Sequence, residues 1–247
     1  MWIPIAWLVV QMLVLVGQDV VPGVEASPRI PLTKSRLIEL AIEMVVALDG
    51  PGLSQALLQA TRTLNGPALF DDFVTPLTDE LLRRRRHGDL RLAHEQFAMG
   101  YLRRFVGDLL STKSVRSMGA TVLVCAPAHS LHEIGALASA VTANRDGWQV
   151  VYLGVGLPAD EIAFVAERRH ARAVIVSLAG SGDDSRVESE LLSLRNRLNT
   201  ELPIIGVGVD VERQRDALRS IGARSAATQA EFAGELAQLA NPAAANE

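Results

Sequence analysis

The sequence predicts a two-part α/β chain: a four-helix bundle followed by a doubly wound parallel sheet of five strands. Three observations lead there. From Leu32 to about Ser114 apolar residues recur at helical spacing. From Gly119 the period changes, and short apolar runs alternate with helical stretches, as consecutive βα units do. Several of those runs end in glycine- or histidine-bearing loops, where a parallel sheet presents ligands at its carboxyl edge.

Composition narrows the classes. Hydrophobic residues make up 49% of the 247 positions, enough to bury a sizeable core. A net charge of −4 argues against a protein that coats nucleic acid over its whole surface. The single cysteine, Cys125, falls inside a predicted strand, which excludes an internal disulfide and fits a reducing, cytoplasmic setting. There is no Cys/His cluster with zinc spacing. No phosphate loop or three-glycine dinucleotide fingerprint occurs, and no nucleophile–base arrangement marks an enzyme.

Residues 1–30 form an apolar amino-terminal segment, with its first charge at Asp19. The run from Trp2 to Val16 is short for a spanning helix and lacks flanking cations. A secretory signal would want a basic start, which is absent, and a buried helix or misassigned start is the third reading. Membrane contact through 2–16 stays open. The bundle then occupies 31–116. Leu37, Leu40, Ala41, Met44 and Val45 mark its first helix, ended at Asp49-Gly-Pro-Gly52. Ser54–Leu64 is the second and Ala68–Arg86 the third. The fourth is capped by Asp89 and carries Phe97, Leu102 and Phe105. The run Arg83–Arg86 reads as a solvated helix end that suits the helix dipole.

The sheet domain spans 117–241, with a small polar tail at 242–247. Its strands are predicted at Thr121–Ala126, Gln149–Leu153, Ala173–Leu178, Leu202–Ile205 and near Arg224. The stretch from Val122 to Gly135 is central. An apolar strand breaks at Pro127 into a loop with His129 and His132, and an amphipathic helix through Ala136, Leu137 and Val141 follows. Three loops should converge on one crevice: His129–His132, Ser177–Ser181 and Gly206–Gly208, with Gly154–Pro158 beside them. Imidazole in the first loop suits a transition metal.

Ser130-Leu-His132-Glu-Ile-Gly135, Ser177-Leu178 and Gly206 resemble the three loop motifs of cobalamin-binding Rossmann-like (flavodoxin-like) domains. Gly88-Asp-Leu-Arg-Leu-Ala-His-Glu-Gln-Phe-Ala98 is similar to the last bundle helix of light-sensing, cobalamin-dependent MerR-type regulators. Tyr152-Leu-Gly154 and Leu157-Pro158 also fit, so the resemblance covers roughly 36–240. It implies His132 as the cobalt ligand, Ser130 beside it and Gly135 packing near the corrin. Ser177, Leu178, Gly206 and Gly208 would line the nucleotide tail, with Tyr152 and Gly154 close by. Glu95 and Gln96 would face the upper, adenosyl or methyl side beneath the bundle.

The departures are specific. Ser130 stands where the family has a carboxylate that orients the imidazole. Val207 replaces a glycine, Arg85 a tryptophan over the adenosyl group, and Gln96 a histidine. His94 does not replace that histidine, because two helical positions turn the side chain by about 200°. About 35 residues precede the bundle, roughly half the length of a winged helix-turn-helix, and they are apolar. Direct DNA binding by this chain therefore has little sequence support.

The resemblance implies a cobalamin-binding sensor or regulatory protein. Adenosyl- or methylcobalamin would be its cofactor, with output through a homo-oligomer or a transcriptional partner. Two other readings stand: a corrinoid carrier subunit of a methyltransferase system, and a degenerate domain that binds haem or another tetrapyrrole.

Overall fold

Local capping explains where the bundle helices begin. The computed structural model describes residues 33–112, 119–127, 133–178 and 184–241. Helix α1 is Lys34–Val46, and the Thr33 hydroxyl accepts from the Arg36 N–H at 3.3 Å. Helix α2 is Gly50–Thr63, opened by the Asp49 carboxylate, which accepts from the Gly52 N–H at 3.0 Å. The expected break at Asp49–Gly52 is thus the start of α2. Pro51 lies in the first turn, where its missing N–H costs nothing.

Helix α3 runs in three joined segments, Pro67–Leu69, a π-helical stretch Phe70–Val74, and Thr75–His87. Thr75 donates to Phe70 O, a five-residue step. The wide turn gives room to Pro76, whose ring would crowd the carbonyl four residues back in a regular α-helix. Gly88, at φ 85°, closes α3 in the left-handed conformation that suits glycine. Helix α4 is Leu92–Ser111. Asp89 does not cap it. The chain turns for two more residues, and the Arg91 N–H donates to His94 Nδ1 at 3.1 Å.

Leu37, Leu53, Leu57, Phe70, Phe73, Leu77, Leu81 and Leu102 are fully buried and form the bundle core. Each such side chain contributes about 1.5–3 kcal/mol by leaving water. That core continues into helix α5, Glu133–Arg145, through Ile134, Leu137, Ala138 and Val141. On its other side Ala136, Ala140 and Ala143 pack against Val122 and Val124 of the sheet. The expected amphipathic helix is therefore buried on two sides. Its alanines let bundle and sheet approach it from both directions.

The strands are β1 Thr121–Pro127, β2 Gln149–Leu157, β3 Ala173–Ser177, β4 Ile204–Val207 and β5 Arg224–Ala226. They are all parallel, in the order β2-β1-β3-β4-β5. Helices α5 and α9 (Gln229–Ala240) cover one face. Helices α6 (Ala159–Arg168), α7 (Asp184–Arg197) and α8 (Arg215–Ser220) cover the other. This is the doubly wound arrangement that the sequence predicts.

Two boundaries differ from expectation. Strand β2 extends past Leu153, so Gly154 and Gly156 lie within it at φ 79° and 81°. Its pairing with β1 shifts at Cys125, so these glycines make an irregular strand rather than a loop. Gly206 likewise lies inside β4, paired with Val176 and Ser225. Glycine there reflects packing, because a Cβ would stand 2.8 Å from the Leu218 side chain. The segment 2–16 and the tail 242–247 lie outside the described residues. No described helix is long and apolar enough to cross a membrane.

Candidate functional site

Strand order reverses between β1 and β3, which opens a crevice at their carboxyl ends. His129, Ser130 and His132 lie outside the described residues, as do 179–183. The described residues at these strand ends are Glu133 and Gly135 opening α5, Tyr152 on β2, Ser177 ending β3 with Leu178 after it, and Gly208 after β4.

Ser177 is buried to 1% exposure, and among the described residues its hydroxyl oxygen has no hydrogen-bond partner. Alternation along β3 puts it on the same face as Ala173 and Ile175. An unpaired hydroxyl in that position loses its water bonds without replacement, at a cost of about 1–3 kcal/mol. A ligand entering the crevice could satisfy it. Leu178 donates its N–H to Val207 O at 2.7 Å, and its carbonyl accepts from the Asp210 N–H at 3.2 Å. A Cβ on Gly208, at φ 123°, would meet that carbonyl oxygen at 2.7 Å, so only glycine fits. Val207 packs with Val124, Ile175 and Phe232 on one face, whereas Gly206 meets Leu218 and Leu178 on the other. Valine at 207 therefore leaves the Gly206 side unchanged.

Three residues from three elements meet at the start of α5. The Glu133 carboxylate accepts a hydrogen bond from the Tyr152 hydroxyl at 3.1 Å through one oxygen. Its other oxygen is paired with Arg103 of α4. Burial, reinforced by the Glu133 charge, pushes the Tyr152 phenol well above its usual range and keeps it a donor. The sequence offers Glu133 as an acid in a first helical turn, which the helix dipole favours. Arg103 was missed. Its partner lies 30 residues away, so the sequence carries no local signal for it.

Higher on the bundle, Glu95 is buried and ion-paired with Arg85. Glu95, expected to face the upper side of a ligand, is thus engaged with Arg85, which stands where the family has a tryptophan. Gln96 is exposed. Arg83 and Arg84 both bind Glu80, at 2.6 and 2.7 Å, and hold its carboxyl down at about 2. Much of the arginine run is therefore neutralised within the bundle.

A second polar tie crosses from bundle to sheet. Asp71, in the π-helical turn, accepts the N–H groups of Gln229 and Ala230 at 2.7 and 3.0 Å. The buried Gln229 side chain accepts from Thr142 at 2.9 Å and donates to Ser139 at 3.2 Å. A cavity of about 1190 Å³ lies at the opposite, amino-terminal edge of the sheet, beside Phe164, His170 and Arg172. Its lining mixes both charges and lies away from the loops. Cys125 is buried, and burial pushes its thiol up to about 12, which leaves it inert.

No protein-family model matches the chain. Its architecture is shared with the Methanosarcina barkeri monomethylamine corrinoid protein. The TM-score is 0.64 at 14% identity, over 84% of this chain and all of that one. The two chains share one fold, a helical bundle followed by a parallel-sheet domain. In sequence the chain is 25% identical over 217 residues to the HTH-type transcriptional repressor CarA of Myxococcus xanthus. The alignment spans 87% of this chain and 72% of the repressor. It is 27% identical over 158 residues to the repressor CarH of the same organism, covering 64% of this chain and 52% of that one. The shared fold and the relationship to these repressors span both bundle and sheet.

Proposed function

We propose that the chain is a cobalamin-binding sensor module linked to transcriptional regulation, with residues 31–116 as a cap over the binding domain 117–241. The observation that carries this reading is the 217-residue similarity to a transcriptional repressor, which takes in bundle and sheet together. His132 would be the residue that holds cobalt, with Ser130 and Gly135 belonging to the same motif. Ser177, Leu178, Gly206 and Gly208 line the tail channel, with Tyr152 and Gly154 at its rim. Glu95 and Gln96 overlook the upper side. The buried, unpartnered Ser177 hydroxyl supports a ligand in this crevice. Among the described residues no group of three or more His, Cys, Asp or Glu could chelate a metal. A corrin would bring most of its own metal donors and would ask the protein for a single ligand. Bound there, it supplies a cobalt–carbon bond whose loss can serve as a signal. The bundle excludes water from the upper side, and Arg85 neutralises the buried Glu95 beside it. Output passes to self-association or to a transcriptional partner.

The test is a visible spectrum after dark incubation with adenosyl-, methyl- or hydroxocobalamin and desalting, with His132→Ala alongside. Retained corrin bands that shift or vanish in the variant support the reading. A protein that stays colourless with every form overturns it. A second reading, a corrinoid carrier subunit, draws on the match to the whole length of the monomethylamine corrinoid protein. It expects a change of upper ligand to leave the oligomeric state unchanged, whereas the sensor expects a shift on size-exclusion chromatography.

A further inference from the structure

The start of α5 is held more firmly than an ordinary helix end. Both oxygens of Glu133 are engaged, one by Tyr152 from β2 and the other by Arg103 from the bundle. The partners lie 19 and 30 residues away in sequence, so neither bond is a local helix contact. An isolated surface ion pair is worth ~0–1 kcal/mol. Here the pair is backed by a half-buried phenol and by the positive end of the α5 dipole. Glu133 is also covalently next to His132.

On the reading of His132 as the cobalt ligand, we infer that Arg103, Glu133 and Tyr152 form a positioning triad that ties the ligand's backbone to the cap. Arg103 is its bundle-borne arm. A movement of α4 relative to the sheet is transmitted through Arg103 to Glu133 and to the adjacent histidine. The axial ligand and the cap then respond as one unit, which is how an event on the upper side reaches the lower one. The serine at position 130 makes this tie more important, because it provides no carboxylate to orient the imidazole from its own loop.

The experiment compares wild type with Arg103→Ala, Arg103→Lys, Glu133→Gln and Tyr152→Phe, using hydroxocobalamin and the full chain. Two readouts are taken. In the apo protein, amide hydrogen exchange is measured over the first turn of α5. In the loaded protein, labelled with 15N-histidine and chemically reduced to Co(II), electron paramagnetic resonance is examined for the doublet splitting that a 15N imidazole imposes, as distinct from the triplet given by the cofactor's own 14N base. Arg103→Ala and Glu133→Gln are expected to raise first-turn exchange about tenfold and to reduce the histidine-ligated fraction, with thermal midpoints near wild type. Arg103→Lys, which keeps the charge, is expected to recover part of both. Unchanged exchange and splitting in all four variants, with His132→Ala still losing the splitting, would overturn the triad and leave the cobalt reading standing. Failure of wild type to give the doublet would overturn both together. A variant that only unfolds is decided by Tyr152→Phe, which removes one hydroxyl, and by the apo exchange measurement.

Discussion

Asp71 caps a helix 158 residues further along the chain: its carboxylate takes the first N–H groups of α9 at Gln229 and Ala230. The bundle thereby supplies the anionic cap that the sheet domain's last helix needs at its positive end. Asp71→Ala is expected to lower stability by about 1–2 kcal/mol, the upper part of the range for a lost cap. Asp71→Asn, which keeps one acceptor oxygen, should fall between. Urea unfolding with separate probes on Trp148 and on bundle helicity would also reveal whether the two parts begin to unfold apart.

Glu80 gives a pH-dependent prediction. Its carboxyl is held at about 2 in the folded state against 4.5 ordinarily, by hydrogen bonds from Arg83 and Arg84. A depressed carboxyl stabilises the fold above its unfolded pKa, and that contribution is lost as pH falls towards 2. Glu80→Gln should therefore cost roughly 0.5–1 kcal/mol at neutral pH, the scale of partly exposed pairs. The gap between variant and wild type should close as pH falls below 4.5 towards 2. Denaturation midpoints across that window check it.

Ser177→Ala separates folding from binding. The hydroxyl is buried without a partner, so its loss should leave apo stability unchanged or raise it slightly. Corrin retention should nevertheless weaken about fivefold if the ligand supplies a bond worth ~1 kcal/mol. Thermal melts of the apo protein beside equilibrium binding would decide it.

Gly206→Ala should destabilise by about 1–3 kcal/mol through overpacking. The added methyl would meet the Leu218 side chain at 2.8 and 2.9 Å. Leu218→Ala should relieve the clash in the double variant. Gly208→Ala has no such partner, because the obstacle is the Leu178 backbone oxygen and φ is 123°. A double-mutant cycle on unfolding free energy distinguishes the two glycines.

The alternation of apolar runs and helical stretches made the order of elements legible, because burial periodicity acts locally. Helix starts were less legible. Asp49 and Asp89 have the same chemistry, and only the geometry of the following residues makes the first a cap and the second a turn residue. Gly154 and Gly206 read as loops because glycine usually breaks strands. Here one bends an edge strand and the other clears a leucine. The place of Ser177 at the end of β3 was readable from the apolar run before it. Arg103 and Asp71 were not, since each acts on a residue 30 or more positions away. No pattern in a single sequence records such a pairing.

The two positive-φ glycines of β2 bear on how copies of this chain can meet. With the order β2-β1-β3-β4-β5, only β2 and β5 have an open side. Strand β5 is three residues long, too short to template much. Strand β2 has nine, but Gly154 and Gly156 twist its second half and break the even row of N–H and C=O groups. A flat, regular edge of that length would invite strand addition and aggregation. The second half of β2 is thus a poor template for a further strand, which leaves Gln149–Leu153 as its regular stretch.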